Sequence, residues 1–162
     1  MLIVSEKARI SKLADIEDSV RGSRITIEEG VVVDAFVKIK PAGGCGDVRI
    51  GAYTHINSGT VIYTGNGLDV GKGVLIAANC TLAPVNHEIQ RKDKPIREQG
   101  FQPSKGGIII EEDVWVGANT VILDGARLGK GCVVGASSLV LGKLEQYSIN
   151  VGSPTRKIGY RK

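Results

Sequence analysis

The sequence predicts an all-β chain folded as a parallel β-helix, and three observations carry that prediction. From Ile110 to Glu145 a six-residue period runs without interruption. Its first position is always aliphatic (Ile110, Val116, Ile122, Leu128, Val134, Val140), and its fifth is small or β-branched until a closing leucine (Val114, Thr120, Ala126, Cys132, Ser138, Leu144). At this chain's Ile, Leu and Val content, six such hits in succession arise by chance with a probability of about 0.0005 per register. Aromatic residues make up only 4% of a chain that holds 22 glycines, a composition suited to a narrow aliphatic interior with tight corners rather than a packed sandwich or bundle. Finally, a period of six matches neither a helical face nor a long alternating strand. It fits short strands that turn after each hexad, with one large and one small side chain pointing inward. Three hexads close one triangular coil, and successive coils stack about 4.8 Å apart.

Taken from the N-terminus, hexads begin at Ile10, Ile16, Ile27, Val33, Ile39, Ile50, Ile56, Ile62, Val70, Ile76 and Leu82 once short corner insertions are allowed. The companion positions Ala14, Val20, Val31, Val37, Thr54, Thr60, Val74 and Cys80 were not used to choose the register, yet they too are small or β-branched. The repeats therefore span about 10–145, with insertions at Gly22–Thr26, Pro41–Arg49 and Leu68–Asp69. One long insertion, 88–107, is charged and rich in turn formers, and a loop of that size inside a compact repeat is usually functional. The tail, 146–162, leaves the coil and is expected to cap its open end, with a short helical turn after Pro154. Residues 1–162 form a single domain.

A net charge of +4 suits a phosphorylated small ligand, whereas nucleic acid would call for a dense basic stripe with stacking aromatics. Met1–Val4 gives way at once to Glu6 and Lys7, so no signal peptide is expected. No apolar run approaches a membrane span, and the cytoplasm is the expected compartment. Cys80 and Cys132 occupy small fifth positions on different faces, where they fill the core apart from one another and cannot pair. Cys45, in Gly43-Gly44-Cys45-Gly46, lies in a loop.

The run from Ile110 to Glu145 resembles the hexapeptide-repeat acyltransferases, and in particular the galactoside- and maltose-type sugar O-acetyltransferases. The resemblance implies a left-handed β-helix, a handedness opposite to the general rule for parallel crossovers. It also implies direct acetyl transfer from acetyl-coenzyme A to a sugar hydroxyl, without a metal, in a homotrimer whose sites lie between subunits. His87, in Ala83-Pro84-Val85-Asn86-His87-Glu88, closes the last hexad before the long loop, as the family's catalytic histidine does. An imidazole there would take the proton of an acceptor hydroxyl as it attacks the thioester. The backbone N–H of Ala118 matches the family's oxyanion donor. Asn57 matches an acceptor-binding asparagine, Trp115 stands beside the pantetheine arm, and Ala118, Ala136 and Arg156 are the implied coenzyme A contacts. Arg156 lies in an ending, Gly152-Ser153-Pro154-Thr155-Arg156, that resembles the family's own. Leu141-Gly142-Lys143-Leu144-Glu145 departs from the family's usual Thr-Lys-Asp-Ile-Pro, which puts a Lys143 contact in doubt. Glu88 could orient His87 or remain solvated. His55 is either a second ligand contact or an interface residue, and the interface is the favoured reading.

Three other readings stand beside this one: N-acetylation of a nucleotide-linked amino sugar, a non-catalytic β-helix scaffold, and a zinc enzyme on the same solenoid. The last needs three histidines around each metal, and the chain has two, His55 and His87.

Overall fold

The structure is a computed structural model describing residues Met1–Lys162, and it is a left-handed parallel β-helix with three flat faces. The first face stacks the strands Leu2–Val4, Ile25–Ile27, Val48–Ile50, Leu68–Val70, Ile108–Ile110, Arg127–Leu128 and Lys143–Leu144. The second stacks Arg9–Ile10, Val32–Val33, His55–Ile56, Leu75–Ile76, Trp115–Val116, Val133–Val134 and Ser148–Val151, and ends with Arg156–Tyr160. The third stacks Asp15–Ile16, Lys38–Lys40, Val61–Tyr63, Thr81–Ala83, Val121–Leu123 and Leu139–Val140. All neighbours are parallel except the last pair on the second face, where Ser148–Val151 and Arg156–Tyr160 form an antiparallel hairpin. The one helix is short, Ile96–Gln99, and no helix is long and apolar enough to cross a membrane.

The hexad aliphatics from Ile27 to Val140 are buried, as are their companions from Val31 to Ser138, and the buried apolar residues form one continuous cluster. Several expectations need correction. The stack starts at Leu2, not near Ile10, because Leu2–Val4 pairs in register with Ile25–Ile27. With no coil above them, Ile10 and Ile16 stay half-buried. Val20 is 96% exposed; it sits in a corner turn and fills no inward position.

The insertions also shift. Ile25, Val48, Leu68 and Ile108 all point inward, two residues before the hexad aliphatic, so they are fifth positions. Corner insertions of varying length precede them on the first face, so a six-residue count carried on from Ile16, Ile39, Ile62 or Leu82 falls short of them. Thr26, Arg49 and Asp69 are therefore the outward middle residues of strands, and the true bulges lie just before them.

The repeat continues beyond Glu145. Leu144 stacks on Leu128 as a first position rather than a fifth, because the chain contracts by two residues after Val140. Asn150 then stacks on Val134, buried to 2% exposure. Its Nδ2 donates to Ser148 Oγ (2.8 Å) and to the Val133 carbonyl (3.3 Å), while Ser148 Oγ donates to the Glu145 carbonyl (2.6 Å). This self-satisfied polar pair closes the prism at the foot of the second face, as buried polar groups must be hydrogen-bonded. No helical turn follows Pro154; the tail is the strand Arg156–Tyr160.

Cys80 and Cys132 are fully buried and Cys45 is exposed. Burial raises both core thiols above the ordinary 9.0, that of Cys132 to about 12. A thiol reagent at pH 8 is accordingly expected to label one cysteine in the folded protein and three in urea, since the thiolate is the nucleophile. The folded state keeps the Cys132 proton where the unfolded chain loses it, so stability falls as pH rises from about 9 towards 12.

Candidate active site

The strand Thr81–Ala83 carries the chain to the edge between the third and first faces, where Pro84 ends pairing because it has no N–H to offer. The chain leaves the prism there and returns at Gly107. The stalk of this excursion is antiparallel: Gln102 N–H donates to the Asn86 carbonyl (2.8 Å) and Glu88 N–H to the Gly100 carbonyl (3.0 Å). His87 lies opposite Phe101, with ring centroids 4.9 Å apart and planes tilted by 36°. The imidazole is exposed and opens onto a pocket of about 280 Å³ lined by Ala42, Gly43, Tyr63, Ala83, Val85 and Phe101. Ala42 and Gly43 come from the corner bulge two coils earlier. Gly43 (φ 80°) lies so close to Val85 that a Cβ there would meet its Cγ1 at 2.5 Å, so only glycine lets the two loops close together. Glu88 does not orient the histidine: its Oε1 accepts the N–H groups of Ile89 (2.8 Å) and Gln90 (3.0 Å).

The return of the excursion is pinned by a residue the sequence reading did not single out. Asp124, 4% exposed, accepts hydrogen bonds from Lys105 N–H (2.8 Å), Gly107 N–H (2.8 Å) and Asn66 Nδ2 (3.0 Å). Arg127 grips the same segment through the Gly106 and Gly107 carbonyls (3.1 and 2.9 Å). Removing a buried acceptor strands its donors at about 1–3 kcal/mol. Asp124→Ala is therefore expected to open residues 88–107 while the prism stays folded, giving faster trypsin cleavage at Arg91–Lys105 and faster amide exchange at Lys105 and Gly107.

The remaining candidates lie elsewhere. Asn57, Ala118 and Ala136 occupy the edge between the second and third faces, Ala118 and Ala136 in adjacent coils and Asn57 two coils before Ala118. Asn57 Nδ2 donates to the Ile76 carbonyl (2.7 Å), so half of its amide is already used within the stack. The N–H groups of Ala118 and Ala136 make no hydrogen bond within the chain, and the turn residues after them, Asn119 and Ser137, have positive φ. Trp115, 51% exposed, stands on the second face in register with Leu75 and Val133. It lines a depression of about 310 Å³ with Gly73, Asp113 and Arg161, the last two paired at 2.8 Å. In the hairpin at the foot of this face, Lys157 pairs with Glu145 (2.8 Å), while Arg156 is exposed and has no carboxylate within 4.0 Å. His55 Nε2 faces Asp34 Oδ2 at 3.2 Å, higher on the same face. Within one chain, then, five of the six candidates follow one edge and its adjoining face, and His87 sits across another edge.

Residues 107–142 match the family model described as bacterial transferase hexapeptide (six repeats). This is a hexapeptide-repeat chain. Its repeat is 32% identical over 116 residues to a probable acetyltransferase of Mycobacterium tuberculosis, covering 72% of this chain and 38% of that protein. It is 31% identical to the galactoside O-acetyltransferase of Lactococcus lactis, covering 67% of this chain and 50% of that one. The hexapeptide-repeat chain thus spans half or less of these two curated relatives. Among solved structures it superposes with a TM-score of 0.82 on AntD, an N-acyltransferase from Bacillus cereus in complex with dTDP-4-amino-4,6-dideoxyglucose and coenzyme A. That match has 28% identity and covers 99% of this chain and 84% of the other.

Proposed function

We propose that this protein transfers an acetyl group from acetyl-coenzyme A to a sugar hydroxyl, with His87 as general base. The observation that carries the reading is a lone exposed imidazole at the mouth of a sugar-sized pocket, where the repeat opens its one long excursion. The imidazole accepts the hydroxyl proton while the oxygen attacks the thioester carbon. The tetrahedral oxyanion takes a hydrogen bond from Ala118 N–H, the C–S bond breaks, and the departing sulfur recovers the proton from the imidazolium. Trp115 flanks the pantetheine arm, Ala136 adds a backbone contact, Arg156 meets the 3′-phosphate, and Asn57 offers its free carbonyl oxygen to the acceptor.

His87 and these residues lie on different edges of one prism, so the site is completed between chains, as in a homotrimer where one subunit's base faces coenzyme A on its neighbour. The compartment is the cytoplasm, and surface-polysaccharide or lipopolysaccharide sugars are the proposed setting. The similarity to AntD over almost the whole chain favours one second reading, N-acylation of a nucleotide-linked amino sugar. An acceptor screen that follows free thiol from acetyl-coenzyme A tests both readings. Mild alkali then removes an O-acetyl product and spares an N-acetyl one, and no thiol release from any sugar rejects the two together.

A further inference from the structure

The foot of the prism, where all three faces end, concentrates charge in a way the acyltransferase reading does not use. No strand follows Leu139–Val140 on the third face, Lys143–Leu144 on the first or Arg156–Tyr160 on the second. Residues 141–162, which make up this end, hold five cations (Lys143, Arg156, Lys157, Arg161, Lys162) and one acidic side chain, Glu145. That excess equals the whole chain's net charge of +4, so the 140 residues above it are electrically balanced. The opposite end is balanced as well, since residues 1–21 hold four cations and four carboxylates. Two of the foot's cations are spent, Lys157 on Glu145 and Arg161 on Asp113, both at 2.8 Å. Lys143, Arg156 and Lys162 are exposed and have no carboxylate within 4.0 Å.

Apolar side chains stand among these cations: Leu141 is 50% exposed and Ile158 65%. The hairpin sets Ile158 there. Gly159 pairs with Ile149 and Lys157 with Asn150, which leaves Ile158 as an extra residue in a bulge, and a bulge at a sheet edge re-aims the side chain it carries. Cations beside exposed hydrocarbon match an anionic lipid surface, which offers phosphates and an acyl boundary together. Nucleic acid offers the phosphates without the hydrocarbon, and the Tyr160 ring is not free to stack on a base: the Lys157 ammonium lies 4.6 Å from its centroid and Glu145 accepts its hydroxyl proton. The 3′-phosphate of coenzyme A accounts for Arg156 and leaves Leu141 and Ile158 unexplained. We propose that the foot docks this protein reversibly on an anionic lipid surface, with Ile158 and Leu141 entering the headgroup–acyl boundary and Lys143 and Lys162 lying on lipid phosphates. The inference does not rest on the acyltransferase reading. A homotrimer with its axis along the prisms would set three such feet in one plane, where linked weak contacts reinforce one another.

The test follows sedimentation of the full-length protein with vesicles of phosphatidylcholine, alone or mixed with phosphatidylglycerol. Affinity for the anionic vesicles is expected to exceed that for the neutral ones by about 10-fold or more. It should fall as salt rises from about 0.1 to 1 M, over which the screening length shrinks from about 10 to 3 Å. Each cation near such a surface is worth about fivefold in affinity. The charge reversal Lys143→Glu should therefore weaken binding by about 10-fold or more, while the same reversal on the excursion, Lys92→Glu, should change it less than about threefold. Ile158→Ser combined with Leu141→Ser keeps every charge and should still weaken binding by about fivefold. Ile158→Trp places a residue that favours membrane interfaces and should tighten it, a gain that misfolding does not mimic. Saturating coenzyme A should leave the protein on the vesicles. Equal binding to both vesicle types, or to neither, overturns the proposal. An equal loss from Lys92→Glu would assign the effect to net charge, and displacement by coenzyme A would assign the cations to the cosubstrate; either result overturns it. Undiminished binding of the Ile158→Ser, Leu141→Ser protein would reduce the contact to charge alone, the pattern expected for nucleic acid, and overturns it too.

Discussion

Replacing His87 by alanine is expected to lower kcat by about 10²- to 10⁴-fold, the range over which a positioned general base contributes, with little change in KM for acetyl-coenzyme A. The split follows from where the groups lie. His87 stands at the edge between the third and first faces, and the groups assigned to coenzyme A follow the second face and its far edge, so a truncated imidazole leaves the cosubstrate's contacts in place. The fold should be unmoved, because His87 is exposed and its one ring contact, Phe101, is about half exposed. A melting temperature within a degree or two of wild type would separate loss of chemistry from loss of structure. Glu88→Gln is the companion measurement. Its carboxylate is occupied by the Ile89 and Gln90 N–H groups and does not hold the imidazole, so activity should stay within about threefold of wild type. A His87→Ala enzyme that kept a tenth or more of wild-type kcat would remove the base from the mechanism, and a Glu88→Gln enzyme as impaired as His87→Ala would show that the carboxylate orients it after all.

Much of the prism was legible because its core is one-dimensional. Each inward position is filled by the same kind of side chain in every coil, and Ile56, Ile76, Val116 and Val134, stacked on the second face, write the period directly into the sequence. Where chemistry departs from that rule, the pattern goes silent. Ser148 and Asn150 satisfy each other's hydrogen bonds inside the last coil, so they read as polar tail residues although both are buried. Ile25, Val48 and Leu68 follow corner insertions that break the six-residue count, and only the stacked strands reveal them as inward.

The candidate site was legible to a lesser degree, for a related reason. His87 could be picked out because it opens the one long interruption. Phe101, Tyr63 and Ala42 come from three separate coils or loops, and what unites them is coil-on-coil stacking at one edge, which no local spacing encodes. Asp124 occupies an ordinary corner in the sequence, and its partners Asn66, Lys105 and Gly107 become neighbours only when the excursion returns.

The largest stability effect is expected from the middle of the stack. Ile76 is fully buried and is paired above with Ile56 and below with Val116. Strand pairing in both directions keeps the backbone from moving in to fill a void, so Ile76→Ala should cost about 3–5 kcal/mol, the upper part of the range for such truncations. Ile10→Ala removes the same atoms from the first coil, where the side chain is half-buried and pairs only with Val33 below it. The site can collapse or hydrate, and the cost there should be under about 1.5 kcal/mol. Because each coil contacts only its neighbours, an end coil can fray while the centre stays folded. Ile10→Ala should therefore broaden the urea transition, whereas Ile76→Ala should shift the whole curve to lower urea. Equal losses from the two substitutions would mean that the open end is covered in solution, by a partner or by further chain, and that the first coil is as much interior as the fourth.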